Sequence, residues 1–163
     1  MMSDLIEVVE FVLGGSRYAL DIRLVREIFE MMPVTQIPHT LPHIAGVVNI
    51  RGEITYLVNI NALLQIPETA RSEKKYIIVF VGDATGGTNV GILVDTVTSV
   101  TGVTESQVEY RVHGVQGTGE QYIRGIISLD PDDGMTREKQ LVIWLDIQRM
   151  LRDIDRKEYQ RTG

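Results

Sequence analysis

The sequence predicts a mainly β protein made of two small β-barrels in tandem, followed by a C-terminal helix. Three observations indicate this fold class. Short apolar runs recur along the 163 residues, and several alternate with polar residues as half-buried strands do. Clusters of glycine and proline separate these runs. The two halves of the chain also resemble each other in the order of their apolar segments.

The first half contains two predicted hairpins. One joins IEVVEFVL to SRYALDI around Gly14 and Gly15. The other joins GVVNI to EITYLVNI through a turn at Arg51-Gly52. LVREIFEMM, which lies between them, has the pattern of an amphipathic strand, and NALLQI is expected to form one helical turn.

The second half repeats this organisation after a polar stretch at residues 67–75. Five further strands are expected, with the sequences YIIVF, VGILV, TVTSVTGV, YIRGIISL and QLVIWL. Asp146 is a candidate N-cap for a final helix, in which Ile147, Met150, Leu151 and Ile154 fall on one face. We therefore expect a first barrel at residues 1–70, a second at 71–146, and the helix and tail at 147–163.

An internal duplication explains the similarity of the two halves. Tyr18 aligns with Val90, at an offset of 90 − 18 = 72 residues. YLVNINALL aligns with IWLDIQRML, and we also align Arg51 with Arg124, because each stands in an Ile-Arg-Gly phrase. A pair of matched arginines favours a structural role at each barrel rim. For Arg51, a contact with a partner protein is an equal alternative, because an apolar IAGVV stretch lies nearby.

Composition and charge exclude several function classes. The net charge of −6 argues against nucleic-acid binding and against attachment to an anionic membrane surface. No cysteine is present, which removes disulfides and thiolate metal sites. No apolar run approaches the roughly 20 residues of a membrane-spanning helix. We expect a cytoplasmic protein that binds neither nucleic acid nor the membrane interior.

The sequence also lacks the residue patterns of an enzyme or a metal site. His39 and His43 are four residues apart, but prolines disfavour a helix that would bring them together. DPDDG does not continue as a calcium loop would, and HGVQGTGE lacks the lysine of a phosphate-binding loop. We expect no catalytic residue, no metal and no cofactor.

Several segments, taken in order, resemble the CheW-like adaptor domains of chemotaxis. FVLGGSRYALDIRLVREI resembles the opening hairpin of that family, and TQIPHTLPHIAGVVNIRG resembles its proline loop and the phrase that follows. VGILVDTVTSV, YIRGIISL and LVIWLDIQRML resemble its second half. The resemblance implies two five-stranded, SH3/OB-like barrels and a scaffold function without catalysis. It also implies two partners, the cytoplasmic tip of methyl-accepting chemoreceptors and the CheW-like regulatory domain of the histidine kinase CheA.

The resemblance further implies two sets of contact residues. The receptor-binding set is Val25, Glu27, Ile28, Gly46, Val47, Asn49 and Arg51. The kinase-binding set is Val108, Glu109, Tyr110 and Gly114. The protein would then work in the membrane-associated chemoreceptor arrays of the cytoplasm. Two alternatives stay open: an adaptor of another chemosensory pathway, such as surface motility or gene regulation, and a barrel that binds a small ligand.

Overall fold

The computed structural model describes residues 5–38, 43–67, 73–110, 120–130 and 138–162. Its strands are β1 Ile6–Leu13, β2 Ser16–Asp21, β3 Val25–Glu30, β4 Ile44–Ile50, β5 Glu53–Val58, β6 Tyr76–Phe80, β7 Val90–Val94, β8 Thr96–Val103, β9 Val108–Glu109, β10 Ile123–Leu129 and β11 Gln140–Leu145. The helices are α1 Gly82–Thr85 and α2 Ile147–Thr162. The mainly β class and the C-terminal helix are therefore confirmed.

The strands form two sheets. The first sheet has the order β8-β1-β2-β11-β10-β9, and the second has the order β3-β6-β7-β5-β4. Each sheet is antiparallel except for one parallel pair, β2 with β11 and β5 with β7. In each sheet the chain that leaves one edge strand passes to the opposite edge of the same sheet. β8 leads into β9, which pairs with β10, and the segment after β3 reaches β4 through a bridge between Thr35 and Val47.

Each sheet contains strands from both halves of the chain, which corrects the expected division into residues 1–70 and 71–146. The hairpin β1–β2 belongs to the first half but pairs with β8 and β11 of the second. The hairpin β6–β7 of the second half pairs with β3 and β5 of the first. The two halves therefore exchange their first hairpins. Sequence similarity locates the repeats, but long-range hydrogen bonds decide which strands share a sheet.

An aspartate lies at each place where the chain passes from one sheet to the other. Asp21 ends β2 and accepts a hydrogen bond from the backbone N–H of Arg23 at 2.9 Å. Asp95 separates β7 from β8 and accepts hydrogen bonds from the Lys74 ammonium at 2.7 Å and from the Gly14 N–H at 2.9 Å. Both aspartates are buried. The bonds of Asp95 hold one crossing segment against the β1–β2 turn and the segment before β6, whereas the bond of Asp21 is local and stabilises the first turn of the other crossing.

Strand register confirms the duplication at an offset of 72 residues. Ala19 lies opposite Trp144 in the parallel pair of the first sheet, and Gly91 lies opposite Leu57 in that of the second. Ala19 therefore corresponds to Gly91, as the alignment of Tyr18 with Val90 requires. Leu57 corresponds to Trp144, which agrees with the alignment of YLVNINALL and IWLDIQRML.

The predicted match of Arg51 with Arg124 is wrong. Gly46 lies opposite Leu57 and Gly125 lies opposite Trp144, so the two glycines correspond to each other. Arg124 therefore corresponds to Ala45, whereas Arg51 lies in the turn beyond the end of β4. The shared letters Ile-Arg-Gly misled the alignment, because the structural counterpart of IRGIISL is IAGVVNI.

Three apolar clusters form the core. One lies within the first sheet and includes Val8, Ile127 and Trp144. A second lies within the other sheet and includes Val48 and Leu57. The third and largest joins the two sheets to α2, with members Phe11, Leu13, Tyr18, Leu20, Val58, Ile60, Ile78, Phe80, Ala84, Ile92, Val94, Tyr122, Leu145, Ile147, Met150, Leu151 and Ile154. Strands between two clusters must be apolar on both faces, which explains the continuous apolar run of β6.

Helix α2 begins as the sequence predicts. The carboxylate of Asp146 accepts a hydrogen bond from the Arg149 N–H at 3.2 Å. The predicted apolar face, Ile147, Met150, Leu151 and Ile154, is buried in the central cluster. NALLQI forms hydrogen-bonded turns, in which the Leu64 N–H donates to Ile60 O at 3.1 Å. His39, most of the DPDDG turn and most of the HGVQGTGE loop lie outside the described residues.

Gly46→Ala tests the close approach at the β4 bulge. Gly46 has a φ of 149°, and a Cβ there would lie 2.4 Å from Thr35 O and 2.6 Å from Val34 Cγ1. We expect a loss of about 2–4 kcal/mol in the free energy of unfolding, measured with urea, because the strained φ adds to overpacking. Gly52→Ala is the control, since Gly52 also has a positive φ but nothing within 4 Å. Equal losses in the two variants would contradict the packing argument.

Candidate protein-binding surfaces

Arg51 lies in a turn that its own sequence does not favour. Arg51 and Gly52 join β4 to β5 with φ values of 54° and 84°. A two-residue hairpin turn with two positive φ angles ordinarily takes Asn-Gly or Gly-Gly, because a bulky side chain is strained there. The Gly52 N–H donates to Asn49 Oδ1 at 2.8 Å, which stabilises the turn. Strain of this kind is concentrated at functional positions.

The guanidinium of Arg51 binds the carboxylate of Glu27 in a two-pronged ion pair. Its Nη1 donates to Oε2 at 2.8 Å and its Nη2 donates to Oε1 at 2.6 Å. The same guanidinium lies 5.9 Å from the centre of the Phe29 ring. The Arg51 side chain is 65% exposed and that of Glu27 is 32% exposed. The fold thus brings β3 and the β4–β5 turn together in one charged, accessible site.

A small depression of about 110 Å³ adjoins this ion pair. Arg26 and Glu53 contribute further charge to its wall, and Thr55 and Val79 also line it. Charges of both signs therefore surround Arg51. Such a site can orient a charged partner without having a strong net potential of its own.

Two predicted contact residues lie on the outer face of the β4–β5 hairpin. Val47 is opposite Tyr56 and Asn49 is opposite Ile54, so all four side chains share one side of the sheet. Ile54 is 61% exposed and Tyr56 is 41% exposed. This β4–β5 outer face is an accessible apolar surface beside the Arg51 turn.

The other members of the receptor-binding set occupy different environments. Ile28 is 37% exposed on β3, where it alternates with the core-facing Phe29. Val25 is partly buried against the central cluster. Gly46 is buried beneath the Thr35 carbonyl, so its position in the structure is one of packing rather than of surface contact.

A groove continues from the β4–β5 outer face towards α2. Its volume is about 590 Å³. Tyr56, Val58, Val90, Leu151 and Ile154 contribute apolar surface to it. Polar groups from α1 and α2 complete the lining, namely Asp83, Thr85, Gln148 and Arg152. The groove and the β4–β5 outer face both belong to the second sheet and the helices packed on it.

The kinase-binding set lies on the first sheet. β9 pairs with β10, and this places the partly buried Val108 against the interior cluster and leaves Glu109 exposed. Tyr110 is 49% exposed, and its ring centre lies 6.3 Å from that of Trp144. Gly114 lies outside the described residues.

Arg124 adds a cation to this aromatic pair. Its guanidinium carbon lies 4.6 Å from the centre of the Trp144 ring, while Trp144 is only 2% exposed. The Trp144 ring therefore contacts both a half-exposed tyrosine and an exposed arginine. Burial raises the pKa of Asp21, but hydrogen bonds from Arg23 and the charges of Arg23 and Arg124 outweigh this, so the pKa is lowered below its ordinary value.

Sequence reasoning did not find Ile54, Tyr56, Phe29 or the stacking of Arg124 on Trp144. Only the first two had a local signal. In EITYLV the apolar residues fall on both faces of the strand, and this pattern could have marked Ile54 and Tyr56 as a second apolar face. The contacts of Phe29 and Arg124 depend on residues that are distant along the chain.

No site for a metal or a membrane-spanning helix was found in the part of the chain that the structure describes. No group of three or more histidine, aspartate or glutamate side chains is placed to hold a metal ion within that part. None of its helices is long and apolar enough to cross a membrane.

Comparison with known proteins identifies the family. The family description "CheW-like domain" matches residues 7–155. The chain belongs to the CheW family. It is 30% identical over 121 residues to "Chemotaxis protein CheW" of Bacillus subtilis (strain 168), which covers 74% of this chain and 76% of that protein. It is 28% identical over 152 residues to "Chemotaxis protein CheW" of Thermotoga maritima. That alignment covers 93% of this chain and 91% of the Thermotoga protein.

A solved CheW structure has the same fold. The crystal structure of the scaffolding protein TtCheW from Thermoanaerobacter tengcongensis aligns with a TM-score of 0.69 at 26% identity, covering 86% of this chain and 88% of that one. CheW proteins are scaffolding adaptors of chemotaxis rather than enzymes. The chain is accordingly a chemotaxis adaptor.

Asp21→Asn tests the charge at the first crossing between the sheets. Because the folded state lowers the pKa of Asp21 below 3.8, its carboxylate stabilises the fold above that pH, and the contribution is lost as the pH falls through the lowered pKa. We expect Asp21→Asn to reduce the free energy of unfolding at pH 7 by about 1 kcal/mol.

The comparison with the unmodified protein should be made by urea unfolding at pH 7 and in the acid range below the ordinary pKa of aspartate. The two proteins should converge in acid. Asp83→Asn, at an exposed aspartate, is the control and should change little at either pH. A difference that persists unchanged in acid would mean that the charge of Asp21 does not stabilise the fold.

Proposed function

We propose that this CheW protein couples the cytoplasmic tip of methyl-accepting chemoreceptors to the CheW-like regulatory domain of the kinase CheA. It would do so in the cytoplasm, within membrane-associated receptor arrays. Its membership of the CheW family supports the proposal. The observation that carries it is the Glu27–Arg51 ion pair, because these two residues of the receptor-binding set are 24 positions apart in sequence and meet in one accessible site.

The receptor-binding surface of the proposal consists of Val25, Glu27, Ile28, Val47, Asn49 and Arg51, with Gly46 shaping the bulge beneath them. A receptor tip built of helices would present an amphipathic face, and such faces bind apolar surfaces flanked by charge. Ile28 and the β4–β5 outer face supply apolar area. The Glu27–Arg51 pair supplies charges of both signs, which fix orientation more than they add affinity.

The kinase-binding surface of the proposal is centred on Tyr110, with Val108, Glu109 and Gly114 beside it. Tyrosine and arginine held on a rigid base dominate the binding energy of many interfaces. Tyr110 and Arg124 both rest against the buried Trp144 ring, so little side-chain freedom is lost when a partner covers them. The exposed Glu109 adds a negative charge that would select among kinases.

The two proposed surfaces lie on different sheets, and the central cluster fixes one sheet relative to the other. A rigid connection allows a change in the receptor to alter the position of the kinase. Each contact can be weak, because many copies in an array multiply the effective concentration.

Arg51→Ala tests the receptor surface. We expect receptor-stimulated CheA activity to fall by about tenfold or more, because truncation removes the cation that orients the receptor and leaves Glu27 unpaired. Co-elution with the CheA regulatory domain on a sizing column should be unchanged. The fold should persist, since an exposed ion pair contributes only about 1 kcal/mol or less.

Arg149→Ala is the matched control, because Arg149 is an exposed arginine on α2 that does not line the groove beside the β4–β5 outer face. A thermal melt followed by circular dichroism establishes that each variant is folded. Normal receptor stimulation by a folded Arg51→Ala protein would remove Arg51 from the receptor surface.

Tyr110→Ala tests the kinase surface. We expect the dissociation constant for the CheA regulatory domain, measured by calorimetry, to rise about 30-fold, as for an interface residue worth about 2 kcal/mol. Tyr56→Ala is the control, because Tyr56 is a similarly exposed tyrosine on the other sheet. If the two variants lose affinity equally, the kinase does not bind specifically at Tyr110.

A further inference from the structure

Three residues of the first sheet form a cluster around a buried tryptophan. The Arg124 guanidinium carbon lies 4.6 Å from the centre of the Trp144 ring, within the roughly 6 Å of a cation–π contact. The centre of the Tyr110 ring lies 6.3 Å from that of Trp144. Arg124 is exposed, Tyr110 is half-exposed and Trp144 is buried. These three residues are called the Trp144 cluster below.

A β-bulge places Arg124 on the ring. Ile123 lies opposite Leu145 and Gly125 lies opposite Trp144, so Arg124 is the extra residue of β10 and has no counterpart of its own on β11. Bulges redirect side chains, and they are frequent next to active sites. Two consecutive residues, Arg124 and Gly125, therefore both lie beside Trp144, and the arginine stacks on its ring.

The second sheet has the same backbone arrangement at this place but different side chains. Gly46 and Gly125 correspond, as the strand register shows. The atom nearest to an added Cβ is the carbonyl oxygen of Thr35 at one glycine and that of Glu109 at the other, so Thr35 corresponds to Glu109. The second sheet folds without a cation or a tryptophan here, and the fold does not require them. The counterparts of the Trp144 cluster are Ala45 for Arg124, Leu57 for Trp144 and Gln36 for Tyr110.

The N–H groups of Arg124 have no oxygen acceptor in the part of the chain that the structure describes. A guanidinium has five N–H donors. The nearby carboxylate of Asp21, whose pKa the charge of Arg124 helps to lower, accepts hydrogen bonds from Arg23 at both of its oxygens. The donors of Arg124 are therefore available to a partner. The ion pairs of the described residues are Arg17 with Glu10, Arg23 with Asp21, Arg51 with Glu27 and Lys74 with Asp95.

The charge around the Trp144 cluster favours a carboxylate as the acceptor. A guanidinium binds a carboxylate or a phosphate through two parallel hydrogen bonds. Glu109 is exposed and directly precedes Tyr110, and the whole chain has a net charge of −6. A doubly charged phosphate or a nucleic acid is repelled by this surplus of negative charge more than a single carboxylate is. One guanidinium is neutralised by one carboxylate.

We propose that Arg124 binds an aspartate or glutamate side chain on the CheW-like regulatory domain of the kinase. The inference rests on the kinase surface proposed above and adds to it the residue that selects the partner by charge. A partner that covers Tyr110 also excludes water from the neighbouring guanidinium, and the loss of water strengthens an ion pair there. A partner without a carboxylate at this point would leave the cation covered and unpaired. Arg124 therefore discriminates against such partners.

The first test is the dissociation constant of the full chain for the CheA regulatory domain, measured by calorimetry. Arg124→Gln removes the charge and should raise the dissociation constant about tenfold or more, as for an interface arginine that loses its ion pair. Arg124→Lys keeps the charge but loses the planar fork, so its affinity should lie between the two. Arg26→Gln is the matched control, because Arg26 is an exposed arginine on β3 of the other sheet. It should bind as tightly as the unmodified protein.

The second test distinguishes a carboxylate from a neutral carbonyl acceptor. Each exposed aspartate and glutamate of the regulatory domain is replaced in turn by its amide, alone and together with Arg124→Gln. One of these replacements should weaken binding as much as Arg124→Gln does, and the combination should be no weaker than either change alone. Arg124→Glu should bind more weakly still, and an arginine at that one acidic position of the kinase should restore its affinity.

A thermal melt followed by circular dichroism establishes that each variant is folded. Two results would overturn the inference and leave the proposed function intact. One is a folded Arg124→Gln protein that binds as tightly as the unmodified protein, and the other is a loss of affinity that couples to no acidic residue of the kinase. If the unmodified protein does not bind the regulatory domain, the proposed kinase partner fails and the inference fails with it.

Discussion

The apolar cluster between the two sheets is the contact on which the rest of the structure depends. Leu20 and Ile92 are counterparts in the duplication, and both are fully buried in this cluster, one from each sheet. Ile147 and Met150 cover it from α2. A small barrel buries too little apolar surface to be very stable alone. The shared cluster adds the apolar burial that each sheet lacks. The exchange of hairpins follows from the same need, because each half of the chain contributes strands to both sides of the cluster.

This arrangement has a consequence for an adaptor. The surface around Arg51 is on one sheet and the surface around Tyr110 is on the other, and no flexible linker is needed between them. Asp95 holds one crossing segment against Gly14 of the β1–β2 turn and against Lys74, and Asp21 stabilises the turn that begins the other crossing. A CheW protein of this kind can transmit a displacement because its interior is close-packed and resists deformation.

The two conspicuous arginines show how position changes the role of one residue type. Arg51 lies in a strained turn, is largely exposed and binds Glu27 at an accessible site. Arg124 lies at the bulge near the start of β10 and stacks on a buried tryptophan, where its charge also lowers the pKa of Asp21. The same three letters surround both residues, yet one is held by a carboxylate and the other by an aromatic ring. The difference arises from the register of the strands and not from the local sequence.

The sequence by itself determined the strands, most turns, the final helix and the duplication. These features depend on neighbours in the chain: alternation sets the faces of β5, paired glycines set the first hairpin, and Asp146 sets the start of α2. It also indicated the family through segments in a fixed order. The tertiary structure alone decided which strands share a sheet, that Gly46 is buried, and that Arg51 meets Glu27. Each of these depends on contacts between residues far apart in sequence, and local patterns carry no record of which distant partner a residue will meet.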